Sequence, residues 1–151
     1  MRDTEKNILV AERESDTRKF IASSLKKYDC EVICAADGKE ALRIVDERRP
    51  DLVVSDTDLE GVSGYDVCRK IKSDDSPHRD IPVVLMSHRT SLQDRLLGFL
   101  AGAEKYICKP FNIEELLDAT NYLMNKSRQH RQYNLMFSGD PLFQEGFLRQ
   151  A

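Results

Sequence analysis

The feature that most constrains this chain is an alternation. Short runs of consecutive apolar residues recur along it, at 8–11, 32–36, 52–55, 81–87 and 106–108. A strand that is apolar on successive residues buries both of its faces. Between these runs lie longer stretches with apolar residues at helical spacing, at 15–28, 38–49, 63–73 and 91–101, and a last one opening at Asn112. Their stripes are Phe20, Ile21 and Leu25, then Ala41, Leu42 and Val45, then Tyr65, Val67, Cys68 and Ile71. The last reads Ile113, Leu116, Leu117, Thr120, Leu123 and Met124. The punctuation agrees. Ser15 or Asp16 is placed to cap the first helix, Pro50 stops the second, and Gly102 suits the end of the fourth. Asn112 opens the fifth, with Glu115 as its capping-box partner. Strands alternating with helices form βαβ units and a parallel sheet. Right-handed crossovers then place helices on both faces. The expected fold is α/β, a doubly wound five-stranded parallel sheet of order 2-1-3-4-5, which binds ligands at the carboxyl ends of its strands.

The totals narrow the function. A chain of 151 residues suits one such domain and a tail. A formal net charge of −3 argues against an electrostatic nucleic-acid binder within these residues. No apolar run approaches the roughly 18 residues of a membrane span. Residues 1–6 are charged and lack the apolar stretch of a secretory signal, so the expected location is cytoplasmic. Cys30, Cys34, Cys68 and Cys108 form no CxxC pair and read as free thiols in a reducing compartment.

The polar residues just past each strand come next. Glu12, Arg13 and Glu14 follow the first strand, Asp56 and Asp58 the third, Ser87 and His88 the fourth, and Lys109 and Pro110 the fifth. Asp37-Gly38, after the second, falls toward the sheet edge. In the expected strand order the other four groups converge on one rim. A carboxylate can attack phosphorus and form an acyl phosphate. Phosphoryl transfer then needs mainly positioning and charge neutralisation. Lys109 offers a point charge for a phosphate oxygen, Ser87 a hydrogen bond, and the carboxylates suit a hard ion such as Mg²⁺.

Five stretches, in order, resemble the response regulator receiver family of two-component signalling. They are Asn7-Ile8-Leu9-Val10-Ala11-Glu12, Pro50-Asp51-Leu52-Val53-Val54-Ser55-Asp56 and Gly61-Val62-Ser63-Gly64-Tyr65-Asp66-Val67-Cys68. Ile81-Pro82-Val83-Val84-Leu85-Met86-Ser87 and the stretch from Ala101 through Lys109-Pro110-Phe111 complete the set. The resemblance implies a flavodoxin-like receiver domain at 6–126, with 127–151 a C-terminal extension or the start of a linker to a further domain. It implies Asp56 as phosphoacceptor, Ser87 as the hydroxyl that bonds the phosphoryl group, Lys109 as its cation, and Tyr106 as a switch residue that turns inward. It implies Mg²⁺ held by Glu12, Asp56 and the backbone carbonyl of Asp58, and a Lys109-Pro110 bond that is often cis. The implied partner is a histidine kinase or a phosphotransfer protein, and the chain is a phosphoacceptor rather than an enzyme.

Three departures stand out. The family's second acid after the first strand is replaced by Arg13, which has no lone pair for a metal. Glu12 and Asp56 are thereby balanced by Arg13 and Lys109, and a weakened Mg²⁺ site is expected. A charge about 4 Å away weighs about 4 kcal/mol at an effective dielectric near 20. Arg13 has three courses: it pairs with Asp56, it joins Lys109 on the phosphoryl group, or it reaches into solvent. His88 stands where a small residue is usual, and Glu60 where proline is usual. The alternative function is a pseudo-receiver that binds partners without phosphorylation. In the fourth helix Leu96, Leu97, Phe99 and Leu100 exceed one stripe, which points to a contact or homodimer face formed with the fifth strand and fifth helix. Asp56-Thr57-Asp58 also resembles the DxD of haloacid-dehalogenase-type phosphatases. Those enzymes carry it on the first strand, whereas two strands precede it here.

Overall fold

The computed structural model describes residues 6–137. Five strands, β1 (Lys6–Ala11), β2 (Cys30–Ala35), β3 (Leu52–Asp56), β4 (Val83–Ser87) and β5 (Lys105–Cys108), pair in parallel in the order β2-β1-β3-β4-β5. Five helices alternate with them: α1 (Ser15–Leu25), α2 (Gly38–Arg48), α3 (Gly64–Lys72), α4 (Leu92–Leu100) and α5 (Ile113–Phe137). This is the expected doubly wound sheet.

Strand periodicity divides the core in two. Leu9 and Ala11, Val53, Val83 and Leu85, and Tyr106 face one side, where Ile44 and Val45 of α2 and Val67, Cys68 and Ile71 of α3 cover them. Ile8 and Val10, Leu52 and Val54, Val84 and Met86, and Ile107 face the other, under Ile21 and Leu25 of α1 and Leu116, Leu117, Leu123 and Met124 of α5. Every residue of β3 and β4 is buried, which is why those segments read as unbroken apolar runs.

Several boundaries differ from those expected. The cap of α1 is Glu14, whose longer carboxylate reaches the backbone N–H groups of Asp16 and Thr17 and the Thr17 hydroxyl; Ser15 is already helical. The first helix ends at Leu25 and tightens into a 3₁₀ turn over Lys26–Tyr28, and Asp29 turns the chain with φ 53°. As an edge strand, β2 starts at Cys30 and includes exposed Glu31, so its apolar run understates its length. The fourth strand opens at Val83, because the Ile81 N–H bonds the His78 carbonyl in a turn and Pro82 has no N–H to give. Asn112 does open α5, but its side chain accepts from the Glu114 N–H, two positions on. Gly102 ends α4 as expected: with φ 103° it donates to Phe99, and Ala103 donates to Gly98, closing a Schellman turn.

Two helices bear on the outer surface of the domain. Helix α4 buries only Gly98, while Leu92, Leu96, Leu97, Phe99 and Leu100 are exposed, the last at 82%. Gly98 is needed for close approach: a Cβ there would lie 2.6 Å from the Tyr106 ring. Helix α5 continues without a break through the polar stretch after Lys126 to Phe137. The stretch Gly139-Asp140-Pro141, whose residue types predict a turn, and the apolar residues after it lie outside the described residues.

Candidate functional site

The sheet delivers the expected residues to one rim. Glu12, Thr57 and Lys109 each continue a ladder one step beyond its strand: the Glu12 N–H bonds the Ala35 carbonyl at 3.0 Å, the Thr57 N–H bonds Met86 at 2.9 Å, and the Lys109 N–H bonds Ser87 at 2.7 Å. The backbone of the rim is therefore as fixed as the sheet. The Lys109-Pro110 peptide is cis, as the resemblance implied.

Lys109 Nζ donates to both Glu12 Oε1 and Asp56 Oδ2. All three side chains are at least nine-tenths buried. The other Asp56 oxygen, Oδ1, accepts from the Asp58 N–H at 2.7 Å. Burial raises the Glu12 carboxyl above its usual range; the Lys109 bond opposes that, and the Asp56 charge adds to it. Burial alone would lower the Lys109 ammonium, but its bonds to Asp56 and Glu12 outweigh burial and hold it above its ordinary value. A buried cation shared by two buried carboxylates is a strongly coupled unit, and losing one member leaves the others uncompensated.

Beside this triad a second network links the rim to the far side of β5. The Ser87 hydroxyl, fully buried, accepts from Thr57 Oγ1 at 2.6 Å and from the Arg89 N–H at 2.9 Å. The Tyr106 hydroxyl donates to the Arg89 carbonyl at 2.7 Å and lies 3.0 Å from the Tyr65 hydroxyl. The Tyr106 ring is buried beneath Gly98, so it faces inward. The Arg89 side chain reaches Asp58 Oδ1 at 3.0 Å across the mouth of the cleft. Arg89 thus touches Ser87 through its N–H, Tyr106 through its carbonyl and Asp58 through its guanidinium.

Of the residues singled out from the sequence, Glu12, Asp56 and Lys109 come together in direct contact. Ser87 neighbours them, but its hydroxyl oxygen accepts from the Thr57 hydroxyl and the Arg89 N–H. Asp58 turns its carboxylate to Arg89. His88 lines the cleft and is exposed. Arg13 does not pair with Asp56: Glu12 takes the buried position at the end of the strand, and Arg13 is exposed at the cleft wall, in the bend that follows. Sequence reasoning misses Thr57, Tyr65 and Arg89. The adjacency of Thr57 to Asp56 is a signal for the first; nothing local marks the Arg89 side chain and carbonyl, since their partners lie 31 and 17 positions away.

The cleft has a volume of about 560 Å³ and opens to solvent between Glu12, Asp56, Asp58, His88, Arg89 and Lys109. Its oxygen donors are of the kind Mg²⁺ takes. As arranged, however, they do not make a tight metal site. Lys109 holds the two inner carboxylates and Arg89 the third. Among the described residues no group of three or more His, Cys, Asp or Glu is arranged to hold a metal ion.

The fold is a flavodoxin-like doubly wound sheet with a lysine-bridged acid pair at its switch point, between β1 and β3. The family model for the response regulator receiver domain matches residues 8–121, and the chain belongs to that family. The probable transcriptional regulator ycf27 of Cyanophora paradoxa is 32% identical over 149 residues, covering 99% of this chain and 60% of that protein. The transcriptional regulatory protein PrrA of Mycobacterium tuberculosis is 35% identical over 123 residues, covering 82% of this chain and 52% of that protein. The chain thus spans little more than half the length of these curated relatives. Among solved structures, the chemotaxis response regulator CheY4 of Vibrio cholerae superposes with a TM-score of 0.73 at 27% identity, covering 80% of this chain and 99% of that one. Receiver domains act in two-component systems opposite histidine kinases and generally bind Mg²⁺ at an acidic pocket. No helix among the described residues is long and apolar enough to cross a membrane.

Proposed function

We propose that this chain is a phosphorelay switch in the cytoplasm, in which Asp56 accepts a phosphoryl group from the phosphohistidine of a histidine kinase or phosphotransfer protein. The observation that carries this reading is the Lys109 bridge between Asp56 and Glu12 at the floor of a solvent-open cleft. A carboxylate oxygen of Asp56 attacks phosphorus, the P–N bond of the donor breaks, and the imidazole leaves. Lys109 meets one phosphoryl oxygen. Ser87 turns its hydroxyl from Thr57 toward another, which pulls on the Arg89 N–H. Because Arg89 also accepts from Tyr106, the pull reaches the face of α4, β5 and α5 and changes its affinity for partners, a second copy of the chain included. Glu12, Asp56 and the Asp58 carbonyl would hold Mg²⁺, weakly, since Arg13 stands where a second acid would be.

Wild type incubated with acetyl phosphate is expected to shift on a phosphate-affinity gel, and Asp56→Asn to lose the shift. An unshifted wild type beside a shifting control receiver would instead favour the pseudo-receiver reading. The α4 face gives a separate expectation. Leu96 and Leu100 are 50% and 82% exposed, so Leu96→Glu with Leu100→Glu should change folding stability by only about 0.5 kcal/mol. The double variant should nonetheless abolish self-association or partner capture by the phosphorylated chain. Sedimentation that is unchanged in both states, with a partner still bound, would remove α4 from the output face.

A further inference from the structure

Each carboxylate lining the cleft already has a partner. Glu12 and Asp56 are bonded by Lys109, and Asp58 by Arg89. Glu14 caps α1 through Thr17 and Asp16, and those bonds hold its carboxyl below the usual range. Two of the three cations are engaged by these same acids. Among the described aspartates, glutamates, lysine and arginines of the cleft wall, Arg13 is the one whose side chain makes no hydrogen bond or ion pair. Its own contact is through the backbone, where its carbonyl accepts from Arg18 at 3.5 Å. The four carboxylates of the cleft outnumber its three cations, but Arg13 is the cation with no acid of its own, so an anion formed on Asp56 would find it unengaged.

Resting on the phosphoacceptor reading above, we propose that Arg13 is a positioning residue for the phosphoryl group, taking over charge neutralisation that a divalent cation would otherwise supply. When Asp56 becomes an acyl phosphate, the local charge changes from −1 to about −2. Lys109 is already shared with Glu12 and cannot balance the new charge alone. Arg13 sits next in sequence to Glu12, on a long side chain with five donors in a planar fork that matches phosphate oxygens. Leaving its solvent-exposed position breaks no bond and costs only side-chain entropy, about 2 kcal/mol at most, and the fork closes over the phosphoryl group from the cleft wall. Phosphorylation of this chain accordingly depends little on Mg²⁺, and the dependence is restored when residue 13 is made acidic.

The test uses wild type, Arg13→Gln and Arg13→Asp, phosphorylated with phosphoramidate across a Mg²⁺ series that starts in EDTA. Amide chemical shifts of Asp56 and Asp58 report metal binding independently of phosphorylation. The expected wild type is phosphorylated in EDTA at a rate within about tenfold of that in saturating Mg²⁺. Arg13→Gln should lose at least tenfold in EDTA. Arg13→Asp should bind Mg²⁺ at least tenfold more tightly, about 1.4 kcal/mol, and require it. A wild type that is phosphorylated only with Mg²⁺, or an Arg13→Gln that matches it in EDTA, would overturn the role of Arg13 and leave Asp56 as acceptor. If Arg13→Asp alone were phosphorylated, Arg13 would be a block rather than a ligand, again overturning the proposal. Failure of all three proteins, each folded by circular dichroism, would bring down the phosphoacceptor reading and this one with it.

Discussion

Lys109→Ala is expected to destabilise the folded chain by about 3–5 kcal/mol at neutral pH, the usual cost of stranding buried charges. Lys109 has two acceptors, Glu12 and Asp56, and all three side chains are nearly sealed from water. Without the ammonium, two carboxylates face each other in a low-dielectric pocket. Glu12 already binds its proton more tightly than a free glutamate, first through burial and then through the charge of Asp56. A carboxyl whose folded value is raised favours the fold below the unfolded value, about 4.3, and loses that advantage as pH rises through the folded value. With Lys109 gone the raising causes are opposed only by the Glu14 N–H, so the variant's deficit should shrink as the pH falls through the acidic range. For Lys109 itself the raised value means that its stabilisation is present below about 10.4 and lost only in more alkaline solution. Urea denaturation at several pH values measures all of this. Glu12→Gln in the Lys109→Ala background should recover about half of the loss, because one stranded charge is then removed. Equal stability of Lys109→Ala and wild type at neutral pH would mean that the triad is solvated.

What is legible in the sequence depends on where each signal resides. The sheet can be read because burial on both faces writes itself into consecutive residues, and Val53, Val54, Val83, Val84 and Leu85 are all fully buried. Glu12, Asp56 and Lys109 can be read because strand ends are fixed by the sheet, and parallel register carries them to one rim. Edge strand β2 is understated because one side of it has no neighbour to demand apolar residues. In α4 the apolar residues resemble a core stripe but face outward, since Gly98 alone lets the helix settle on Tyr106. Local pattern cannot show which way such a helix is turned. The direction of the Ser87 hydroxyl and the reach of Arg89 are likewise hidden. Both are decided by competition among loop partners far apart in sequence: Thr57 lies 30 positions from Ser87, and Asp58 lies 31 from Arg89.

The second large effect is expected at Gly64. This residue opens α3, directly after the loop that succeeds Asp56, and its N–H bonds the Thr57 carbonyl at 2.9 Å. A Cβ there would lie 2.0 Å from the Asp56 carbonyl oxygen and 2.8 Å from Thr57 Cα. Both neighbours are backbone held in or beside the β3 ladder, so neither can swing aside as a side chain would. Gly64→Ala must therefore push α3 away from the sheet or push Asp56 out of line with Lys109. The first opens the core around Val67, Cys68 and Ile71; the second misplaces the Asp56 carboxylate relative to Lys109. Overpacking of this kind costs about 1–3 kcal/mol or somewhat more, and a backbone clash belongs at the upper end. Gly61→Ala is the control. With φ 76° and no atom within 4 Å of its Cβ, it carries only left-handed backbone strain of about 1–2 kcal/mol. In urea denaturation Gly64→Ala should fall below Gly61→Ala by at least about 1 kcal/mol, and its phosphorylation by acetyl phosphate should slow at least tenfold while Gly61→Ala stays near wild type. Matching stabilities and rates for the two variants would show that the junction of β3 and α3 yields to a methyl group, and that the position of Asp56 is not set by this contact.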